Sequence, residues 1–231
     1  MRVVTTCHKA GFEQYGQGFL DGMHNWPKGT EFRWYQEGFD YSDGIPITTI
    51  DRLNEFKKKH QFYVAPDWRF DVVRFANKVY AAWDAFKDYE GIGVWLDCDT
   101  VTYNEIPEGY VEKLLNGKFL AILNRTGMWT ETGFWVMDCS NPIKKQFFDT
   151  WLWWYESGGF KTLPHWHDCM TLDATIRRLE IDYEGLSGKH HKDSHPLSKI
   201  DLGKYIDHTK GDRKKLGYSP ENMFRHAALS V

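Results

Sequence analysis

Short runs of β-branched and apolar residues alternate along this chain with longer stretches in which apolar residues recur every three or four positions. Arg2–Cys7 reads as a strand, Phe32–Phe39 as a second, and Phe62–Ala65 as a short one stopped by Pro66. A polar, Gly-rich stretch, Gly16–Gly22, flanks the first strand. The clearest helix is Asp71–Asp88, where Val72, Val73, Ala76, Val79, Tyr80, Trp83 and Phe86 fall at helical spacing and Asp71 can cap the amino end. Gly91 and Gly93 break that pattern, and Ile92–Leu96 follows as a buried strand, because its apolar residues do not alternate with polar ones.

Further on, the pattern predicts a helix over Glu108–Asn116 and strands over Lys118–Leu123 and Gly133–Asp138. Helices follow from Pro142 to Glu156 and over Asp168–Leu179. Gly185–Lys199 has loop composition, Ile200–His208 returns as a short strand, and the tail 217–231 carries no readable pattern. Strands alternating with helices predict an α/β fold with a mainly parallel central sheet flanked by helices. There is no internal repeat and no linker, so one domain spanning 1–231 is expected.

Composition narrows the picture only in places. The formal net charge of −3 implies no broad basic surface, which argues against a protein built to coat nucleic acid. Aromatic residues make up 16% of the chain, enough both to fill a core and to line a site that stacks flat ligands or sugar faces. Cys7, Cys98, Cys139 and Cys169 are widely spaced with no CxxC, which fits buried, reduced thiols and a cytoplasmic setting. No apolar run approaches the about 18 residues that a transmembrane helix needs.

The most informative segment is GIGVWLDCDTVT, Gly91–Thr102. A buried strand there delivers Asp97 and Asp99 at its carboxyl end, and on extended backbone residues two apart share a side, with Cys98 opposite. Two such carboxylates suit a hard divalent cation, and ligands of open α/β sheets bind beyond the carboxyl ends of strands. The plain alternative is an Asp-rich turn. A second cluster, YIDHTKGDRKKL, holds His208, Gly211 and Lys214 at spacing HxxGxxK. An imidazole can ligate a metal, a glycine lets backbone approach a phosphate, and a lysine places charge on it. A solvated basic turn would have the same composition.

Taken in order, these segments resemble the nucleotide-sugar glycosyltransferases of the GT-A (Rossmann-like) fold, and within them the retaining family of glycogenin and the bacterial lipopolysaccharide galactosyltransferases. In that family a helix bearing a donor-contacting lysine precedes the aspartate strand, as Arg74 and Lys78 do in RFANKVYAAW. The family's DxD is similar to WLDCDT, which implies Asp97 and Asp99 as metal ligands, with Asp97 also near the donor. Its sugar-contacting Asn-Thr/Ser-Gly turn resembles TETG, implying roles for Glu131, Thr132 and Gly133, although Glu131 stands where Asn is usual. Its terminal HxxGxxK resembles HTKGDRK, which implies His208 as metal ligand and Gly211 and Lys214 at the diphosphate. Thr5, Thr6 and Cys7 sit where the family holds base and ribose. Asp168 matches the family's Asp-Gln helix start, with Cys169 in place of Gln.

The resemblance implies Mn²⁺ or Mg²⁺ as cofactor, a nucleotide-sugar donor with UDP-sugar favoured, and transfer to an acceptor hydroxyl that leans toward retention, while Asp168 at a helix start keeps inversion open. It divides the chain into a nucleotide-binding half, 1–100, and a sugar and acceptor half, 101–216. The acceptor stays open among glycan, protein, small molecule and nucleic acid. Asp168 and Glu131 are the catalytic candidates, Asp168 being equally readable as a helix cap. His165 and His167 beside it can bind sugar or be structural. Trp151 with Trp154 or Tyr155 reads as core packing, whereas Trp129 and Trp135, flanking TETG, are placed to touch a ligand. His190, His191 and His195 can bind metal, but read first as a flexible solvated loop, or as a lid over the donor. A sugar-nucleotide pyrophosphorylase and a non-catalytic carbohydrate-binding protein on the same fold are the rival readings.

Overall fold

The structure is a computed structural model that describes residues 1–187, 195–222 and 224–225. Its main sheet has the strands β1 (Arg2–His8), β2 (Glu31–Glu37), β3 (Ile45–Pro46), β4 (Ile92–Leu96), β6 (Leu120–Leu123), β7 (Glu131–Asp138) and β8 (Tyr183–Gly185). A separate ribbon pairs β5 (Thr100–Thr102) with β9 (Ile206–His208). The sheet order is β3-β2-β1-β4-β7-β6-β8. β3, β2, β1 and β4 run parallel, β7 runs antiparallel to both neighbours, and β8 is parallel to β6. The expected α/β architecture with a mostly parallel sheet is what the chain adopts.

Strand side chains alternate between two buried faces. Val4, Tyr35, Trp95, Ile122, Trp135 and Met137 face one core, packed by the long helices α3 (Asp51–Lys59), α4 (Val72–Phe86), α6 (Ile143–Glu156) and α7 (Asp168–Arg178). Val3, Val94, Leu96, Leu123, Phe134 and Val136 face the other. That second layer is built from short pieces: α1 (Lys9–Gly11) and α2 (Gln17–Asp21) joined by a π turn, α5 (Tyr110–Lys113), and 3-10 turns around Leu197 and Leu202. The last helix, α8 (Arg213–Leu216), follows β9. Burial on both faces explains why β4 reads as an unbroken apolar run.

Asp71 caps α4 by accepting from the Arg74 N–H at 3.2 Å, as its sequence position suggested. Trp151 and Tyr155 lie in the core, the indole of Trp151 donating to Thr171 Oγ1 at 2.9 Å. All four cysteines are free and buried. Among the described residues no helix is long and apolar enough to cross a membrane.

The structure corrects two expectations and fills in two stretches that the sequence left unread. Phe62–Ala65 forms no strand; the segment loops outward and leaves Phe62 and Val64 exposed. The Gly-rich stretch after β1 is helical. Trp135 is fully buried and stacks on Trp95 at 6.2 Å, so it touches the core and no ligand. In the tail, Ser219 and Arg225 both bind the buried Asp207 carboxylate, at 2.7 and 2.8 Å.

Candidate functional site

Beyond the carboxyl end of β4 the chain turns sharply, the Thr100 N–H donating to the Asp97 carbonyl at 3.0 Å. Asp97 and Asp99 therefore leave a turn, and extended alternation is not what brings them to one side. Cys98 also borders the same hollow, contrary to the opposite placement that alternation predicts. After the turn, β5 pairs antiparallel with β9, which sets Thr100 opposite His208. Thr209 then clamps the Asp99 carbonyl with both its N–H, at 2.9 Å, and its hydroxyl, at 2.8 Å. The ribbon thus carries the late histidine to the aspartates. Carboxylate oxygens of Asp97 and Asp99 and a ring nitrogen of His208 all lie within 4.8 Å of one another.

Gly133 makes this approach possible. A Cβ there would stand 2.4 Å from His208 Cε1 and 2.6 Å from its Nδ1, closer than real Cβ atoms come. His208 fits over a bare backbone. Its Nε2 lies 2.9 Å from Asp99 Oδ1, and its Nδ1 is buried with no hydrogen-bond partner.

Each acidic group has a cationic partner. Lys78 Nζ lies 2.7 Å from Asp97 Oδ1 and 2.8 Å from Asp168 Oδ2. Trp95 Nε1 also donates to Asp97 Oδ1, at 2.7 Å. Lys214 Nζ lies 2.9 Å from Asp99 Oδ2 and 4.5 Å from the centre of the Tyr15 ring. Asp168, at the start of α7, additionally accepts from Thr132 Oγ1 at 2.5 Å. Its own cap is His167, whose Nδ1 accepts weakly from the Met170 N–H at 3.4 Å. Glu131 is buried and saturated: its Oε2 meets Lys210 at 3.1 Å and Arg125 at 3.3 Å, and its Oε1 accepts from the Gly133 N–H at 3.2 Å.

These contacts set the protonation states. Burial alone would raise Asp99, but His208 and Lys214 beside it hold its carboxyl far below the usual carboxylate range. Burial would lower His208, and the Asp99 charge outweighs it and raises the imidazole. Asp168 and Glu131 stay ionised against the cost of burial, through Lys78 and Lys210 respectively. Burial pushes His167 down to about 4, so it is neutral at pH 7.

Two hollows meet along this network. The first, about 150 Å³, is bordered by Thr6, Cys7, His8 and Tyr15 on one side and by Asp97, Asp99 and Lys214 on the other. The second, about 310 Å³, is bordered by Glu131, Thr132, Asp168, Cys169 and Lys210. Arg74, Lys78, Asp97, Asp99 and Lys214 border both.

Most of the residues singled out from sequence therefore come together. Thr5, Gly133 and Gly211 do not border either hollow: Thr5 is buried in β1, Gly133 lies against the His208 ring, and Gly211, at φ +68°, turns the chain from His208 back to Lys214. His195 packs its ring 4.4 Å from His208, whereas His190 and His191 lie outside the described residues. Sequence reasoning missed Tyr15, Phe75, Trp68 and Lys210. Only Lys210 carried a signal, two residues after His208 in the same basic turn.

Three donor sets could hold an ion: Asp97, Asp99 and His208; Glu131, His195 and His208; and His167, Asp168 and Cys169. The last two bury every donor. In the first set both aspartates are half-buried, and both border the two hollows. Two carboxylates and an imidazole with an unpartnered buried nitrogen form a donor set for a divalent cation.

No protein-family model and no curated protein matches the chain. Solved structures do resemble it. The glycosyltransferase GlyE of Streptococcus pneumoniae TIGR4 superposes with a TM-score of 0.48 at 11% identity, over 80% of this chain and 44% of that one. This chain thus spans under half the length of that protein. Mouse xyloside xylosyltransferase 1 superposes with a TM-score of 0.48 at 10% identity, over 78% and 81% of the two chains. A glycosyltransferase involved in glycosylating the major capsid of PBCV-1 gives 0.46 at 11% identity, over 94% and 97%. The chain is similar in structure to glycosyltransferases.

Proposed function

We propose that this protein is a metal-dependent glycosyltransferase of the GT-A type that moves a sugar from a nucleoside-diphosphate sugar, UDP-sugar foremost, to an acceptor hydroxyl with retention. The observation that carries the reading is the convergence of Asp97, Asp99 and His208 at the seam between two hollows, with Lys214 beside them. The nucleoside would occupy the first hollow, against Thr6, Cys7, His8 and Tyr15. The sugar would occupy the second, against Thr132 and Asp168, and the diphosphate would lie across the shared wall. Residues 1–100 supply most of the nucleotide side and 101–216 most of the sugar side of one domain. Four free, buried thiols suit a reducing, cytoplasmic setting.

Asp97, Asp99 and His208 would hold Mn²⁺ or Mg²⁺. The cation supplies neutralisation of the charge that grows on the departing diphosphate, worth several kcal/mol. Lys214, and Lys78 once freed from Asp97, would add positive charge to the same oxygens. As the bond from the anomeric carbon to the diphosphate breaks, the acceptor oxygen bonds to that carbon and its proton passes to a diphosphate oxygen. Asp168, kept ionised by Lys78, would face the developing positive charge of the sugar. Glu131, its oxygens already engaged, would orient the TETG turn and Lys210.

The test is a thermal-shift and transfer panel of UDP, GDP and their sugars with Mn²⁺. A ligand bound to the folded state stabilises it by RT ln(1 + [L]/Kd), so UDP with Mn²⁺ should raise Tm by several degrees. UDP-sugar should be consumed by the wild type, and not by Asp99→Ala or in excess chelator. Undiminished turnover in that variant would defeat the metal reading, and no response to any nucleotide would defeat the whole proposal.

A further inference from the structure

The turn that follows α3 holds two apolar side chains out to solvent. Phe62 is 89% exposed and Val64 85%, the two most exposed large apolar side chains among the described residues. Tyr63 between them is half-buried and anchors the turn. Its N–H donates to the His60 carbonyl at 2.9 Å, its hydroxyl donates to the Phe70 carbonyl at 3.0 Å, and its ring lies 5.7 Å from that of Trp166. Phe62 and Val64 therefore stand on a pinned base. Single exposed apolar residues need no explanation, but two at the tip of one anchored turn leave a protrusion without a partner.

Cations surround this tip. The last turn of α3 brings Lys57, Lys58 and Lys59 to its foot. Lys161 comes from the neighbouring 3-10 turn, Gly159–Thr162, whose Phe160 ring packs 5.8 Å from His60. Burial, with Lys59 and Lys161 nearby, lowers the His60 imidazole. Lys58, Lys59 and Lys161 are exposed, and none of them has an ion pair among the described residues; Lys59 donates to the backbone carbonyl of Glu156 at 3.1 Å. The carboxylates of Glu156 and Asp67 are taken up by Arg52, at 2.8 Å, and by Arg69, at 3.0 Å. Glu55, one turn back on α3, is left against these lysines.

We infer that this turn is an anchor that rests on an anionic lipid bilayer, with Phe62 and Val64 dipping below the headgroups and Lys58, Lys59 and Lys161 against the lipid phosphates. A few apolar side chains or a few lysines alone hold a protein on a membrane only weakly, whereas the two signals together hold it firmly. A protein partner fits less well. A stable interface buries about 800 Å² on each side, and two protruding side chains offer far less. A fluid bilayer moulds itself to a convex tip and needs no matching pocket. The contact is peripheral, since among the described residues no helix is long and apolar enough to cross. Trp68, 56% exposed, follows six residues after Phe62 and borders the second hollow, so the tip lies on the approach to that hollow. The anchor does not depend on what the hollows bind.

Co-sedimentation of the full chain with vesicles tests this, comparing pure phosphatidylcholine with an equimolar mixture of phosphatidylcholine and phosphatidylserine. The wild type should partition onto the anionic vesicles at least tenfold more strongly, and high salt should release it. Phe62→Ser with Val64→Ser should cut that partitioning at least tenfold. Lys58→Gln with Lys59→Gln should cut it by roughly fivefold for each lysine. Trp153→Ser, on an exposed indole of α6, should change nothing. All of these positions are exposed or half-exposed, so each variant should keep the wild-type Tm. No preference of the wild type for anionic vesicles, or undiminished binding by either double variant, overturns the anchor. So does a wild-type dimer in sedimentation velocity that Phe62→Ser with Val64→Ser dissociates, because the tip would then be a contact between two copies of the chain.

Discussion

The ammonium of Lys214 lies 2.9 Å from Oδ2 of Asp99, on the carboxylate that His208 Nε2 approaches from its other oxygen at 2.9 Å. A lysine and a divalent cation cannot both hold that oxygen at full strength. With the diphosphate present the lysine has somewhere else to go, and the conflict disappears.

Lys214→Met should therefore have opposite effects on two ligands. Mn²⁺ alone should bind several-fold tighter, because no ammonium competes for Asp99. UDP in saturating Mn²⁺ should bind about tenfold weaker, a loss of about 1.4 kcal/mol, within the range for one charge-assisted hydrogen bond. Electron paramagnetic resonance of free Mn²⁺ and calorimetry of UDP measure the two. A decrease in both affinities would mean that Lys214 does not compete for the metal carboxylate.

His208→Ala removes a donor and leaves Asp99 with Lys214 as its remaining ionic partner. Turnover should fall about a hundredfold or more, since the metal contributes several kcal/mol to the barrier. The affinity for Mn²⁺ should fall in parallel. Loss of turnover with Mn²⁺ affinity intact would assign His208 to some other task.

Gly133→Ala inserts a methyl group where the His208 ring lies 2.4 Å from the would-be Cβ. Either the β9 ribbon shifts or the ring tilts, and overpacking of this kind costs about 1–3 kcal/mol. Urea denaturation should report the cost, and Mn²⁺ affinity should drop with it. Unchanged affinity would show that the ring has room to move without leaving the aspartates.

Acid should weaken the fold through two imidazoles. Burial pushes both His167 and His195 from 6.5 down to about 4, so each folds as the neutral ring. Unfolded, each takes up a proton below pH 6.5, and the native state does not until about pH 4. Stability from these groups is thus full above pH 6.5 and declines as pH falls toward 4. His208, raised by Asp99, works in the opposite direction. The comparison is therefore made by variant: His167→Gln should flatten the loss of urea midpoint between pH 7 and pH 5. An unaltered slope would mean that His167 is protonated in the native state.

How far the sequence could be read depended on how much each element announces itself locally. β4 is an apolar run holding one glycine, bounded by Gly91 and Asp97, and its limits, Ile92–Leu96, match the expectation. α4 carries its own cap and a full apolar stripe. α3 buries only Leu53 and Phe56, a signal too thin to stand above its charged neighbours. In the candidate site, the aspartates and the HxxGxxK cluster were visible as residue types, because their chemistry is in the side chains. Trp68 and Tyr15 were not, because what makes them part of a site is a ring or ammonium brought over from elsewhere, His167 in one case and Lys214 in the other. Trp135 misled for a related reason: flanking a motif says nothing about which way a strand residue points until both sheet faces are known to be covered.

The hydrogen bond between Asp99 and His208 spans 109 positions of the chain. During synthesis Asp99 emerges 109 residues before the imidazole that it meets. A nascent chain held on the ribosome would carry two acidic side chains with no histidine to complete the set, and so would not capture the cation. On the proposed reading, competence for metal waits for β9, and metal uptake would report that β5 and β9 have paired.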